Sequence, residues 1–165
     1  MILAGMGPLV SRWAHLYSDH KAVSETVNFV HLAGVLLGGG LAVATDRATL
    51  RLAHATPADA RGDSPALAEI AGVHRLVLWG LALIFVSGLL QTLSDLDTFL
   101  TSVVFWSKMA LVAALLVNGW IRLRAEQGVQ RGNAGAWPAF RRTSVASLVL
   151  WFVLVLLGAI LTGNG

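Results

Sequence analysis

Two ionisable residues of the sequence stand inside long apolar runs, where a charged or titratable side chain is costly and usually serves a function. His31 lies in NFVHLAGVLLGGG, residues 28–40, and Lys108 lies in FWSKMALVAALLVNG, residues 105–119. An imidazole can bind a metal ion, and an ammonium can pair with a carboxylate. The alternatives are an interhelical hydrogen bond for His31 and, for Lys108, an ammonium that reaches the nearby interface along its aliphatic stem.

Small residues follow His31 on one helical face. Gly34, Gly38, Ala42 and Thr45 come after it at spacings of three and four residues. Gly34 and Gly38 form a GxxxG motif, which favours close packing of two helices. The same glycines would also leave room for a flat macrocycle beside the histidine.

The composition indicates a membrane protein. Charged residues make up only 13% of the chain and hydrophobic residues 56%, whereas soluble domains have about 25% charged residues. The absence of cysteine excludes disulfides, thiolate metal sites and cysteine nucleophiles. The arginines flank the apolar segments, where they are better explained by membrane orientation than by nucleic acid, so no nucleic-acid partner is expected.

Four apolar stretches are long enough to cross a bilayer, which takes about 20 helical residues. They cover about residues 25–45, 70–93, 101–121 and 143–161. The sequence therefore predicts an all-α, integral membrane four-helix bundle, in which residues 1–165 form one membrane domain in contact with the lipid bilayer. Residues 1–20 are predicted to be an interfacial segment, with Trp13 and Tyr17 at headgroup level.

The distribution of basic residues predicts the orientation. Nine of the twelve lysines and arginines lie in or beside the first and third loops: Arg47, Arg51, Arg61, Arg75, Arg122, Arg124, Arg131, Arg141 and Arg142. Under the positive-inside rule these loops are cytoplasmic, and both termini then lie on the outer, periplasmic side. We accordingly expect a multi-pass protein of the bacterial cytoplasmic (inner) membrane.

Counting residues along the helices predicts which polar groups share a depth. His31 and Lys108 fall about 6 Å to the outer side of the midplane, and Ser87 and Gln91 fall in the same half. His74 and Arg75 fall near the cytoplasmic edge, about 20 Å in depth from His31. The two membrane histidines are therefore poor candidates to share one iron. For His74 and Arg75 we expect a pair of residues at the membrane interface. The alternatives are a contact with a haem propionate or a second haem ligand.

The motifs around His31 and Lys108 resemble those of a group of small bacterial four-helix membrane proteins. The group includes the membrane-type protoporphyrinogen oxidase of haem biosynthesis and the copper-resistance D domain. In the oxidase family a histidine precedes a glycine-containing apolar run in the first membrane helix, and a lysine opens an aliphatic run in the third. The resemblance implies b-type haem near His31 and a requirement for Lys108.

Other parts of the sequence bear on which member of the group it resembles. Copper-resistance D domains have a similar histidine followed by two glycines, here Gly38-Gly39, and a similar lysine-led helix. The fourth helix departs from the oxidase family, because Arg141-Arg142 precedes TSVAS rather than an asparagine-glutamate-proline pattern. The resemblance therefore implies a relative on the same scaffold rather than the oxidase itself.

Three functions remain open on these observations. The first is a haem b protein with a redox or electron-transfer role and with quinone or porphyrin as its partner. Such a protein could be a membrane oxidoreductase. His31 would be the axial and metal ligand, since facing histidine pairs for bis-histidine ligation are lacking. The sixth iron position would then be open, filled by water or Lys108, or completed by a second subunit. The cofactor-binding candidates are His31, Gly34, Gly38, His74, Arg75, Ser87, Gln91 and Lys108.

The other two hypotheses need no haem. A copper-resistance D-like transporter would use His31 on a metal path, although the soft ligands that copper(I) selects are scarce. An accessory or structural subunit of a larger membrane complex, or a homo-oligomer, would use the GxxxG motif and the six tryptophans for packing.

Overall fold

The computed structural model describes residues 7–52 and 65–163, and all regular structure in these ranges is helical. The helices are α1 (Pro8–Asp19), α2 (Lys21–Gly34), α3 (Gly40–Leu52), α4 (Pro65–Ser94), α5 (Leu96–Thr101), α6 (Val103–Gln130) and α7 (Trp137–Gly163). A π-helical turn, Val35–Gly39, joins α2 to α3, and a 3-10 turn, Ala134–Ala136, precedes α7.

Four helical stretches are long and apolar enough to cross a membrane: Lys21–Leu52, Ala68–Ser94, Val103–Gln130 and Ala134–Ile160. The prediction of an all-α chain with four such helices is confirmed. Large apolar side chains face outward over the whole bundle, among them Phe29, Leu36, Phe85, Val103 and Phe152, each more than two-thirds exposed. An apolar exterior of this kind suits lipid rather than water.

The first and third spans extend further than the hydropathy predicts. The first continues through Asp46 and Thr49 to Leu52, and the third continues through Arg122 and Glu126 to Gln130. Spans that end near residues 45 and 121 would leave these polar residues in loops, whereas the structure has them in helices. The connection between α6 and α7 shrinks to a short turn in which Gly132 adopts a left-handed φ of 78°. Residues 1–6 and 53–64, including Arg61, lie outside the described residues.

The first span contacts two different helices along its length. Its first half, α2 with the π-helical turn, packs along α4, whereas α3 packs against α7, and α6 runs beside α7. A core of Ala42, Leu115, Trp151 and Leu154 fills the centre of the bundle. A second apolar cluster of Ala125, Val129 and Phe140 lies at the end where α6 meets α7.

The GxxxG motif forms a helix crossing. A Cβ atom on Gly80 of α4 would lie 2.3 Å from the backbone nitrogen of Gly38, and one on Gly34 would lie 3.0 Å from the backbone nitrogen of Ile84. The two backbones are thus in contact, as close packing by small residues allows. The space beside Gly34 and Gly38 is filled by α4, and no room for a macrocycle exists at that face.

The π-helical turn brings two neighbouring glycines, Gly38 and Gly39, into contact with different helices. Gly38 meets Gly80 of α4, while a Cβ atom on Gly39 would lie 3.0 Å from the ring of Trp151 on α7. Short π-helical insertions of this kind often occur at functional sites. Here the turn marks the point where the first span exchanges α4 for α7 as its main partner.

The short helix α1 packs on α4. The indole nitrogen Nε1 of Trp13 donates a hydrogen bond of 2.8 Å to the carbonyl of Leu90, and the rings of Trp13 and Tyr17 lie 5.9 Å apart. Partial burial raises the pKa of the Tyr17 hydroxyl above its ordinary value. An interfacial position for this segment stays a prediction.

Candidate functional site

The contacts of His31 define the first of two polar clusters. Nδ1 of His31 lies 3.0 Å from the hydroxyl oxygen of Ser87 on α4, and the ring is half-buried. The hydroxyl also bonds the carbonyls of Leu83 and Ile84, one turn earlier on its own helix. Ser87 itself is 1% exposed, so this hydrogen bond is sheltered from solvent.

The proton count at Ser87 assigns the tautomer of His31. A serine hydroxyl has one hydrogen to donate, and the backbone carbonyls of α4 take it. The oxygen can then only accept from His31, so we assign the ring hydrogen to Nδ1. The lone pair of the neutral ring therefore lies on Nε2, where it is available to a metal ion or a proton donor.

Gly88 shapes the same site, although sequence reasoning missed it. A Cβ atom at this position would lie 3.3 Å from Cε1 of His31 and 3.7 Å from Nδ1. The glycine thus lets the ring lie directly against α4. Its position next to Ser87, as a residue without a side chain in an apolar helix, was the only signal in the sequence.

Lys108 turns toward the inside of the bundle. Its Nζ atom lies 3.8 Å from the position that a Cβ atom on Gly158 of α7 would occupy, and the side chain is half-buried. Its charge is near enough to act on the His31 ring. The two residues predicted to share a depth therefore also share a neighbourhood, which we call the His31 cluster: His31, Ser87, Gly88 and Lys108.

Three other predicted site residues lie apart from the His31 ring. The side-chain nitrogen of Gln91 donates to Oδ1 of Asn28 at 2.8 Å, one turn of α4 beyond Ser87. His74 and Arg75 lie 13 and 12 residues before Ser87 on the same helix, or about 20 Å at the helical rise. His74 is half-buried and Arg75 is exposed.

The second polar cluster centres on Arg122, and sequence reasoning missed it. The guanidinium donates from Nε to Oδ1 of Asp46 at 2.9 Å, and from Nη1 to Oε2 of Glu126 at 3.4 Å. Its Nη2 lies 3.4 Å from the hydroxyl of Thr49. The ring of Phe140 stacks on it at 5.2 Å. We call this group, with Ser144 and Ser147 of α7, the Asp46 cluster.

The Asp46 cluster is almost fully buried. Asp46 is 1% exposed, Glu126 2% and Arg122 7%, while Thr49 and Ser144 are completely covered. Buried charges are normally paired, as these are. Two atoms nevertheless lack a hydrogen-bond partner in the described part of the chain, namely Oδ2 of Asp46 and Oγ of Ser144.

The donor set decides which cofactor these clusters could hold. Among residues 7–52 and 65–163, no group of three or more His, Cys, Asp and Glu side chains is arranged to hold a metal ion. Haem needs only one axial protein ligand. His31 Nε2 fits that role chemically, and its fixed partner on Nδ1 is the usual arrangement for a metal-binding histidine. The helix face that carries Gly34 and Gly38 is covered by α4 and cannot hold the macrocycle. The macrocycle would have to approach the His31 imidazole from another side.

Comparisons of the chain with protein-family models, with curated proteins and with solved structures found no match.

Proposed function

We propose that the chain is a multi-pass protein of the bacterial cytoplasmic membrane that binds b-type haem through Nε2 of His31 and serves in redox chemistry or electron transfer. One observation carries the proposal: Nδ1 of His31 lies 3.0 Å from the hydroxyl oxygen of Ser87, which by the tautomer assigned above accepts from it. This contact orients the ring and leaves the other nitrogen as a ligand, and such outer contacts typically determine metal affinity.

The residues around His31 would have distinct roles toward the haem. Ser87 and Gly88 hold the imidazole against α4, so the macrocycle would lie away from that helix. Lys108, whose ammonium is half-buried next to Gly158, would pair with a carboxylate of the porphyrin. The bound haem would supply the electron-transfer step, and quinone or a porphyrin would be the partner.

The orientation is part of the same proposal. The arginines near the Asp46 cluster are exposed at one end of the bundle: Arg47, Arg51, Arg124, Arg131, Arg141 and Arg142. By the positive-inside rule this end faces the cytoplasm, and both termini and the His31 cluster face the periplasmic side. The chain lacks cysteine, so single cysteines can be introduced without background. Thr98→Cys should react with an impermeant maleimide on intact cells, and Arg131→Cys should react only after permeabilisation.

The remaining hypotheses gain less from the contacts. The Gly34–Gly38 motif is occupied by Gly80 within the chain, so it does not support docking to another subunit. For a copper path, the side chain that bonds the His31 ring is the hydroxyl of Ser87 rather than a soft ligand.

Haem binding is tested by a visible absorption spectrum of the detergent-purified protein, first oxidised in air and then reduced with dithionite. Haem is quantified per chain in the wild type and in His31→Ala. We expect a Soret band that shifts on reduction and is strongly weakened in His31→Ala. The matched control is His74→Ala, which removes the other described histidine of a membrane span and should leave the band intact.

Two results would contradict the proposal. A colourless wild-type protein, purified from cells supplied with haem precursor, would show that the chain does not bind haem. A Soret band that is lost in His74→Ala and kept in His31→Ala would move the ligand to the other end of α4.

A further inference from the structure

The Asp46 cluster holds more negative than positive charge in a place without solvent. Asp46 and Glu126 contribute two carboxylates, and Arg122 contributes one guanidinium, with none of the three more than 7% exposed. Most other charged groups on α3, α4, α6 and α7 are exposed, and Lys108 is half-buried about 20 Å along α6 from Arg122. The exposed ones are Arg47, Arg51, Glu69, Arg75, Arg124, Arg141 and Arg142. His74 of α4 is half-buried. If both acids are ionised, one buried negative charge is uncompensated, which is expensive in a medium of low dielectric constant.

The hydrogen bonds locate the uncompensated charge on Asp46. Its Oδ1 accepts from Arg122, whereas its Oδ2 has no partner among the described residues. Both oxygens of Glu126 have a neighbour, although at longer distances: Oε2 accepts from Arg122 at 3.4 Å, and Oε1 lies 3.5 Å from the side-chain nitrogen of Gln130. The hydroxyls of Ser144 and Ser147 lie within reach of weak hydrogen bonds to the Asp46 carboxylate, but Ser144 Oγ has no hydrogen bond of good geometry in the described part of the chain.

We propose that Asp46 is a proton-binding site of the membrane domain, with the proton on Oδ2. The proton removes the charge from the one carboxylate oxygen of the cluster that has no partner among the described residues. The same proton neutralises the excess charge, and Arg122 then pairs with Glu126 alone as its ionised acid.

The geometry favours a proton over a metal ion. Ca²⁺ and Mg²⁺ take about six or more oxygen ligands. Within the described ranges only two buried side-chain oxygens are without partners, and Arg122 lies 2.9 Å from the same carboxylate. A second cation would be repelled by that guanidinium, whereas a proton needs a single acceptor.

The position of Asp46 gives the proton a structural effect. Asp46 lies on α3, its counter-ion Arg122 on α6 and its hydroxyl neighbours on α7. Loss of the proton would leave a buried charge between three helices and weaken their packing at this end. Glu126 lies between Arg122 and the exposed Gln130, so the cluster approaches solvent from the α6 side. The site does not depend on haem binding, and each can fail without the other.

Infrared spectroscopy of the purified full-length protein tests the proposal directly. A protonated carboxyl has a carbonyl stretch that ionised acids lack, and the band moves to lower frequency in D₂O. We expect such a band at neutral pH in the wild type and its complete loss in Asp46→Asn. The control is Glu69→Gln, which removes an exposed acid of α4 and should retain the band.

Two measurements on the wild type alone distinguish a bound proton from a bound metal ion. The band should disappear on alkaline titration, which tests the proposal even if a variant does not fold. Replacing choline chloride by sodium chloride at constant pH should not change it. The proposal is overturned if the wild type has no band at neutral pH, if the band is kept in Asp46→Asn, or if Na⁺ abolishes it.

Discussion

The two polar clusters solve the problem of a polar group inside a helix bundle in opposite ways. His31 is half-buried and bonds neutral groups, the hydroxyl of Ser87 and the backbone of Ile84, and the assigned tautomer leaves its lone pair on Nε2. Arg122 is nearly covered, and its guanidinium has three polar neighbours and an aromatic ring. A ligand site must keep one atom available, whereas a buried charge is tolerated only when it is paired. The contrast favours the His31 cluster for binding a large cofactor and the Asp46 cluster for exchanging only a proton.

The clusters are separate because the first span changes partners between them. His31 and Asp46 are 15 residues apart, about 20 Å along the helix. The core of Ala42, Leu115, Trp151 and Leu154 lies between them. The π-helical turn Val35–Gly39 directs α2 toward α4 and α3 toward α7. One apolar layer thus insulates the two sites.

The largest effect is expected from removing the central cation of the Asp46 cluster. Arg122→Met leaves the buried Glu126 carboxylate without a counter-ion, a change that typically costs about 3–5 kcal/mol. We expect a large fall in the thermal unfolding temperature in detergent, partly restored in the Arg122→Met/Glu126→Gln double variant. The control is Arg124→Met, an exposed arginine stacked on Trp120, which should change little. Equal effects of the two single variants would show that the cluster does not stabilise the bundle.

The helix crossing beside the His31 cluster should give the next largest effect. Gly80→Ala would drive a methyl group into the backbone of Gly38, where overpacking costs about 1–3 kcal/mol. Gly40→Ala is the control, because a Cβ atom there meets nothing within 4 Å. Thermal unfolding of the two variants checks this prediction. A Gly80→Ala protein as stable as Gly40→Ala would contradict the close crossing of α2 and α4.

The contact between Ser87 and His31 should matter more for haem than for folding. Ser87→Ala removes one hydrogen bond, worth about 1 kcal/mol, but loss of an outer contact of this kind typically lowers metal affinity by about 10- to 100-fold. Haem retention during dilution, measured by the Soret absorbance, should fall accordingly. Thr92→Ala is the control, because the hydroxyl of Thr92 bonds the carbonyl of Gly88 on its own helix. Unchanged haem retention in Ser87→Ala would contradict the assigned role of Ser87.

The smallest effect is expected where α1 is attached to α4. Trp13→Phe removes the hydrogen bond to the Leu90 carbonyl but keeps most of the aromatic contact, at a cost of about 0.5 kcal/mol. Amide hydrogen exchange should become faster in α1 and stay unchanged in α6. Faster exchange in both helices would show that α1 supports the whole bundle.

The spans and the His31 cluster were predictable from the sequence for physical reasons. Apolar runs of bilayer length report helices directly, and the fixed helical rise converts residue number into depth. Counting was enough to bring Ser87 and Lys108 near His31. Counting could not predict the hydrogen bond from Gln91 to Asn28, because the direction of a side chain depends on the rotation of each helix about its axis.

The Asp46 cluster was not predictable in the same way. Hydropathy falls near residues 45 and 121, and hydropathy alone therefore predicts loops at Asp46, Arg122 and Glu126. A helix does not end where its residues become polar, provided that the polar groups find partners on other helices. The pairing of Arg122 with Asp46 joins residues 76 apart in the chain, and Gly80 is likewise far from Gly38. Such contacts exist only after folding.

The most direct measurement of the account is the reduced-minus-oxidised visible spectrum of three purified proteins: wild type, His31→Ala and Asp46→Asn. The account predicts a b-type haem signal in the wild type, its loss in His31→Ala and its retention in Asp46→Asn, because the axial ligand belongs to the His31 cluster. A wild-type protein without haem, or a signal lost in Asp46→Asn and kept in His31→Ala, would contradict it.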